Sequence, residues 1–264
     1  MNDQQKADRP SVEDYIEQYD DGPRGVAAIF GPTVNAIFAP QAAFETIAAR
    51  PILAIWPVIW VTLSAVIMGL VNADITRQTF RIGMIEGMQR QGQEIDPEQI
   101  RPMLEGIDRW APVIAPVNNL FLVLFVVLVA VFLWIGSSVS GGSTRFIKAF
   151  GVAAVGAVIT PALLILFMTV VWTVDPPEFR RIEEFTRATP TLSLALLFVD
   201  EETPIWLTTI LQSISLFNIW WIYVTAVGAR VLLEIKGAGA WALPFVVWLL
   251  MTGAGAGLAT LGSG

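Results

Sequence analysis

The side chains able to do chemistry in this sequence are few. Cysteine and histidine are absent. That removes a thiol nucleophile, a serine–histidine triad and the usual zinc ligands, and leaves carboxylates as the remaining metal-binding side chains. The densest carboxylate group is Asp200-Glu201-Glu202, and hard oxygen ligands of this kind can hold a divalent cation. Three adjacent residues point in different directions, however, and no glycine-rich ligand loop surrounds them, so a solvated acidic turn is the simpler reading. No GxxxxGK[ST] phosphate loop occurs. No catalytic residue, metal or cofactor is therefore expected, and an enzyme is not.

A second set is polar but uncharged: Asn118, Asn119, Gln212, Ser213, Ser215 and Asn218, all within long apolar runs. In lipid such residues either line a polar cavity or conduit, or bond helix to helix at ~0.6 kcal/mol each. Pro161, preceded by Thr160, falls in the middle of another apolar run. A proline there removes an N–H, bends the helix and frees a carbonyl. Broken helices can build a transporter's binding site, and a purely structural kink is the other use. The core of each apolar run is free of ionisable residues, which argues against intramembrane aspartyl proteolysis, proton relays and charge-coupled antiport.

The elements that must hold these residues follow from where charge is missing. Hydrophobic residues make up 55% of the 264 residues and charged residues 15%, against about 25% charged in an ordinary soluble domain. Charge-free runs extend over Pro51–Ala73, Trp110–Thr144, Ala149–Val174, Thr203–Ala229 and Gly237–Gly264. At 1.5 Å per residue each reaches the ~30 Å of a bilayer's hydrocarbon core. The pattern predicts an all-α membrane protein: a bundle of five transmembrane helices near 52–73, 113–136, 149–173, 204–228 and 240–261. An N-terminal amphipathic segment and short extramembrane helices accompany it. Trp110 and Trp134 are spaced to sit at opposite interfaces, and Trp220, Trp221 and Tyr223 have the composition of interface anchors. The linkers 145–148 and 230–236 are short enough to force tight helical hairpins.

Outside the spans, residues 1–25 are acidic and polar and lack a signal-peptide pattern. Phe44, Ile47 and Ala48 share a face of a short helix over 42–50, which either lies in the membrane interface or packs on the bundle. Amphipathic helices fit 75–90 and 98–109, and Asp175-Pro176-Pro177-Glu178 has the form of a helix start. The stretch 192–199 is apolar but too short to span, so it is interfacial or re-entrant. Gly253-Ala254-Gly255-Ala256-Gly257 permits close helix packing, within the chain or between chains, where Gly253 and Gly257 could bring two copies together. The net charge of −7 argues against nucleic-acid binding. The short linkers carry Arg145, Lys148, Arg230 and Lys236 against Glu234, while the long loops 74–109 and 175–202 are acidic. Weighting short loops places the N-terminus in the cytoplasm and the C-terminus on the other side of an inner cell membrane.

Three stretches carry a family resemblance. The first is PQAAFETIAARP (40–51), with Pro40, Phe44, Ile47, Arg50 and Pro51. The second is Gly141-Gly142, a basic pair, then VAAVGAVITPALL with Pro161. The third is WIYVTAVGARVLLEIKGAGAWALPFVVWLL (221–250), with Gly228. In this order they resemble the bacterial branch of the Yip family of multi-pass membrane proteins, whose eukaryotic members reside in the Golgi and endoplasmic reticulum and interact with Rab-type GTPases. The Asp-Leu-Tyr-Gly-Pro-like stretch of the eukaryotic members is replaced by Phe30-Gly31-Pro32. The resemblance implies a five-helix membrane domain over 51–264 that follows a cytoplasmic segment over 1–50. With the missing chemistry it implies a non-catalytic scaffold or organiser whose partners are the lipid bilayer and other membrane proteins. The rival expectation is a transporter or channel for a small molecule or lipid, built on the Pro161 kink and the Asn118/Asn119 region.

Overall fold

The computed structural model describes residues 26–90, 92, 97–181, 184–185, 189, 191–200 and 202–263. In chain order the helices are α1 (Val26–Phe38), α2 (Pro40–Ala49), α3 (Ile55–Val71), α4 (Ala73–Arg90), α5 (Pro97–Val139), α6 (Phe146–Ala157), α7 (Leu164–Val174), a single turn α8 (Ala195–Phe198), α9 (Ile205–Ser213), α10 (Leu216–Val231) and α11 (Gly239–Ser263). A 3₁₀ turn over Pro51–Ala54 leads into α3, and a π turn over Val158–Leu163 joins α6 to α7. Prolines open α2, the 3₁₀ turn and α5, where the missing N–H costs no helical bond.

The bundle is built around α6. Its sequence FIKAFGVAAVGA is mostly Gly, Ala and Val, and Ala149 and Gly151–Ala157 are buried. Small side chains let backbones approach closely, which is how helices gain contact in lipid, where the solvent is as apolar as the side chains. The buried core adds Phe44 and Ile47 of α2, Val61 of α3, Val129 and Leu133 of α5, and Val224, Leu232 and Leu233 around the end of α10. Outside, Ile59, Leu63, Ile67 and Leu70 of α3 and Phe245, Leu249 and Leu250 of α11 are exposed. Three helical segments are long and apolar enough to cross a membrane: Pro51–Val71, Phe146–Val174 and Gly239–Thr260. Val123–Val139 and Leu216–Val231 are shorter apolar helices. Apolar side chains facing outward along such helices are the surface that lipid covers, and the chain is an all-helical membrane protein.

Several elements differ from the sequence expectation. The charged stretch 98–109 and the apolar run after it form one helix, α5, of 43 residues. The charge boundary at Trp110 therefore marks a change of solvent rather than an end of the helix. Asp108 on the charged part is held by an ion pair with Arg81 of α4 and lies 3.8 Å from Arg77. The run 149–173 is divided by the π turn, where Thr160 leaves helical geometry (φ −127°, ψ 110°) just before Pro161. The run 204–228 is divided at Ile214-Ser215. There Ser193 and Ser215 form an isolated antiparallel bridge: Leu194 N donates to Ile214 O at 3.1 Å and Leu216 N to Leu192 O at 3.2 Å. Irregular backbone among apolar helices needs such partners, because an apolar surrounding offers none. The stretch 192–199 thus reaches in to brace a broken helix, while Leu196, Leu197 and Phe198 stay exposed.

No helix starts at Asp175-Pro176-Pro177-Glu178, whose residues are irregular. Phe179 and Phe185 nevertheless meet, with ring centroids 4.7 Å apart. Residues 26–38, whose sequence pattern predicts no regular element, form α1, which places Phe30 4.7 Å from Trp60 of α3.

Candidate functional site

The three family-like stretches come together at one end of the bundle. On α2 the buried face is Pro40, Ala43, Phe44 and Ile47, a stripe at i, i+3, i+4, i+7. Ala48, expected on that face, is exposed. The stripe packs on α6 and α10. A Cβ added to Gly228 would stand 2.6 Å from Phe44 Cζ and 2.9 Å from Val152 Cγ1, so the absent side chain is the seat of the Phe44 ring. Gly151 likewise admits Ile47 and Leu232, each 3.2 Å from its Cβ position.

Gly142 is the seat of the second contact. A Cβ there would lie 2.5 Å from Leu233 O and 2.8 Å from Ile235 Cγ1. The two hairpin turns are stitched backbone to backbone through this close approach, Ser143 N donating to Leu233 O at 2.7 Å, while Gly142 N closes its own turn by donating to Ser137 O at 2.9 Å. Ser137 Oγ donates to Ser143 O at 2.9 Å, and Trp134 Nε1 to Thr144 O at 2.8 Å. Trp134 therefore reaches the end of its helix as an anchor would, and its ring N–H has a specific partner.

Charges rim this junction. Lys148 forms an ion pair with Glu234, whose backbone sits at φ 61°. The hydrogen bond and charge of Lys148, with Arg145 adding attraction, hold the Glu234 carboxyl below its ordinary value. Arg230 stands over the Trp241 ring, 5.5 Å from its centroid, and Tyr223 lies 6.0 Å from the same ring. The sequence alone does not predict that 145–148 pairs with 230–236 across two hairpins. Gly141, at positive φ just past the end of α5, and Gly237, at positive φ just before α11, are the sequence signal that could have found the turns.

The polar residues within the spans divide. Asn218 Nδ2 donates to Ser213 O at 2.8 Å, and Trp248 Nε1 donates to the same carbonyl at 3.3 Å. Ser215 caps α10 by accepting from Asn218 N at 3.1 Å. Asn218, Ser213 and Ser215 thus hold the helix break, and Gln212 lies in the last turn of α9 beside it. Asn118 and Asn119 lie on α5, but their side chains, like that of Pro161, fall outside the described residues. Trp221 is in the core, 6% exposed, rather than at an interface; Gly156 makes the space for its indole, with Trp221 Nε1 2.9 Å from the Cβ position. Trp220 and Tyr223 remain partly exposed and stack on each other at 4.9 Å.

At the other end, Asp200 closes a local turn. Its Oδ1 accepts from Thr203 Oγ1 at 2.6 Å and from Glu202 N at 3.1 Å, and the Thr203 bond holds its carboxyl below the usual value. Glu201 lies outside the described residues. Gly253 and Gly257 face open space, with no atom within 4 Å of their Cβ positions. Packing within the chain uses instead the intervening Gly255, 3.8 Å from Thr209, and the buried Ala256.

Neither the curated proteins nor the solved structures contain a match to this chain. Residues 34–258 match the model of the Yip1 domain, a span that takes in α2, both stitched turns and the broken helices. By that match, the chain belongs to the Yip1-domain family of membrane proteins.

Proposed function

We propose that this Yip1-domain protein is a non-catalytic scaffold or organiser in an inner cell membrane. It crosses the bilayer five times, with the N-terminus and the stitched turns in the cytoplasm and the C-terminus opposite. The observation that carries the reading is the convergence of residues 40–50, 141–148 and 228–236. Gly142, Gly228 and Phe44 are consumed in close packing, leaving Arg145, Lys148, Arg230 and Glu234 as the groups presented outward. Such a surface suits recognition of another protein rather than turnover. The open face at Gly253 and Gly257 offers a second helix, from this chain's copy or another membrane protein, a close approach.

The topology is tested by single cysteines at 147, 190 and 234, clean because the native chain has no thiol. Positions 147 and 234 should label from the cytoplasm and 190 from the opposite side; a shared side for 147 and 190 refutes the five-crossing arrangement. The scaffold reading is tested by crosslinking in membranes with Arg145→Glu/Lys148→Glu. Crosslinks from the rim to a defined membrane-protein neighbour should be lost in the variant while its melting profile is kept. Turnover of any substrate by the purified protein overturns the reading, as does unchanged crosslinking in the variant.

A further inference from the structure

Between the two broken helices lies a cavity of about 250 Å³, lined by Phe125 and Val129 of α5, Thr160 of the π turn, Thr209 and Ser213 of α9, Asn218 and Trp221 of α10, and residues of α11 from Trp248 to Gly255. Its depth follows from the helices that build it. Thr160 stands at the midpoint of Phe146–Val174, and Trp248, Met251 and Thr252 flank the midpoint of Gly239–Thr260. At 1.5 Å per residue, Thr160 is roughly 20 Å from either end of its span. The cavity therefore sits at the middle of the bilayer, where a polar lining has no water to satisfy it.

The lining has a definite chemical character. Among the described residues no Asp, Glu, Lys or Arg contributes to it, so neither an anion nor a cation would find a counter-charge there. Four of the lining donors, those of Thr209, Ser213, Asn218 and Trp248, are committed to the protein. Thr209 Oγ1 donates to Ile205 O at 2.9 Å and Ser213 Oγ to Ile210 O at 2.7 Å. Trp248 Nε1 and Asn218 Nδ2 both serve Ser213 O. What these side chains still offer is oxygen lone pairs. Thr160 Oγ1, shielded from solvent, has no hydrogen-bond partner. A guest that satisfies such a wall must bring its own donor and carry no charge, which describes a hydroxyl group. The mouth is marked by Phe125, 37% exposed on the apolar flank of α5, and by Gly255, whose missing side chain leaves only Thr209 within 4 Å. A guest enters from lipid, not from water. The volume is below the roughly 300–1,000 Å³ of pockets for drug-sized ligands, which suits a head group whose chains remain outside.

We propose that this cavity binds the hydroxyl-bearing head of an uncharged lipid, diacylglycerol being the simplest. The hydroxyl donates to the oxygens of Thr209, Ser213 or Asn218 and accepts from Thr160, the glycerol backbone lies between the indoles of Trp221 and Trp248, and the acyl chains leave past Phe125. This site is independent of the scaffold reading, because it uses none of the residues at the stitched turns.

The test uses the full chain in phosphatidylcholine nanodiscs with a diacylglycerol bearing a diazirine near its head. On irradiation the probe should label peptides spanning 205–221 and 248–255. It should do so at least about fivefold above a matched diazirine phosphatidylcholine, and unlabelled diacylglycerol should compete it away. Thr160→Val keeps the shape and removes the unpaired hydroxyl; labelling should fall roughly five- to tenfold, as expected for one hydrogen bond in a dry site. Thr252→Trp should block labelling by filling the cavity that Thr252 lines. Equal labelling by the phosphatidylcholine probe overturns the proposal, as does failure of unlabelled diacylglycerol to compete. Both of those outcomes are read on the native chain, so they stand whether or not a variant folds. Unchanged labelling in both folded variants overturns the proposal as well.

Discussion

Gly228→Ala pits two opposing effects whose sizes decide the outcome. Alanine is a better helix former than glycine by about 1 kcal/mol, and Gly228 lies inside α10. The new methyl would stand 2.6 and 2.8 Å from two atoms of the Phe44 ring and 2.9 Å from Val152 Cγ1. Phe44 and Val152 are both fully buried, so neither can swing aside, and overpacking of this kind costs up to about 3 kcal/mol. The net expectation is a loss of about 2 kcal/mol, the difference of those two figures. Intrinsic tryptophan fluorescence in detergent should show the melting midpoint falling by roughly 4–8 °C, on the scale usual for domains of this size. Two companions make the reasoning specific. Gly31→Ala on α1 meets no atom within 4 Å and should leave stability unchanged or raise it. Phe44→Leu removes the two ring atoms in question, so in the Gly228→Ala background it should cost at least about 1 kcal/mol less than it does alone. A Gly228→Ala protein as stable as the native one, or a double variant that is merely additive, refutes the claim that Gly228 exists to seat Phe44.

Other perturbations probe other joints. Gly142→Ala should destabilise by about 2–3 kcal/mol, because its methyl would meet the Leu233 carbonyl, which is backbone and cannot rotate away; loss of protection in the 141–148 and 230–236 amides by hydrogen exchange would locate the damage. Ser215→Ala removes the cap of α10 and should cost about 1 kcal/mol in the same melting assay; an unchanged midpoint would mean that Leu192–Leu194 alone hold the break. Glu234, held below its ordinary value by Lys148, contributes stability that is present above the ordinary carboxylate range and lost as pH falls through its lowered value. Glu234→Gln should lose that stability at neutral pH, a small loss because the pair is exposed, and should flatten the acid limb of the melting profile to the same extent; an unaltered acid limb would show the ion pair to be irrelevant.

The sequence made some of this legible and concealed the rest for identifiable reasons. Absence of charge reports solvent, so the apolar runs and the two tight hairpins at 145–148 and 230–236 could be read directly. The Phe44–Ile47 stripe was legible from its spacing, although Ala43 rather than Ala48 completes it. The same charge signal misled at Trp110, where α5 passes from water-soluble to apolar surface without interrupting its backbone. The break at Ile214-Ser215 carries neither proline nor glycine. Its cause is tertiary, since Leu192–Leu194 supply the backbone partners that a continuous helix would have supplied itself. Helix α1 was hidden by Gly31-Pro32, a local turn signal that packing against α3 overrides. The packing role of Gly142 and Gly228 was visible only as a family resemblance, because the atoms they admit come from residues about ninety and one hundred and eighty positions away along the chain.

The two helix breaks are not satisfied to the same degree, and that asymmetry yields the last prediction. At Ile214-Ser215 the backbone is paired with Leu192–Leu194, and Ser213 O accepts from two side chains. At the π turn, by contrast, Thr160 Oγ1 is shielded and unpartnered. Valine would have the same shape and no such cost, so the hydroxyl lowers stability by about 1 kcal/mol relative to its isostere. A residue that breaks a local rule without a structural gain marks a place where function competes with stability. Thr160→Val should therefore raise the melting midpoint of the lipid-depleted protein in detergent, while abolishing most of the stabilisation that added diacylglycerol gives the native chain. If the variant melts lower than the native protein without lipid, the hydroxyl has a partner inside the fold and the cavity's need for a guest disappears. If it melts higher yet responds to diacylglycerol as the native chain does, Thr160 is a frustrated residue but not a ligand-binding one.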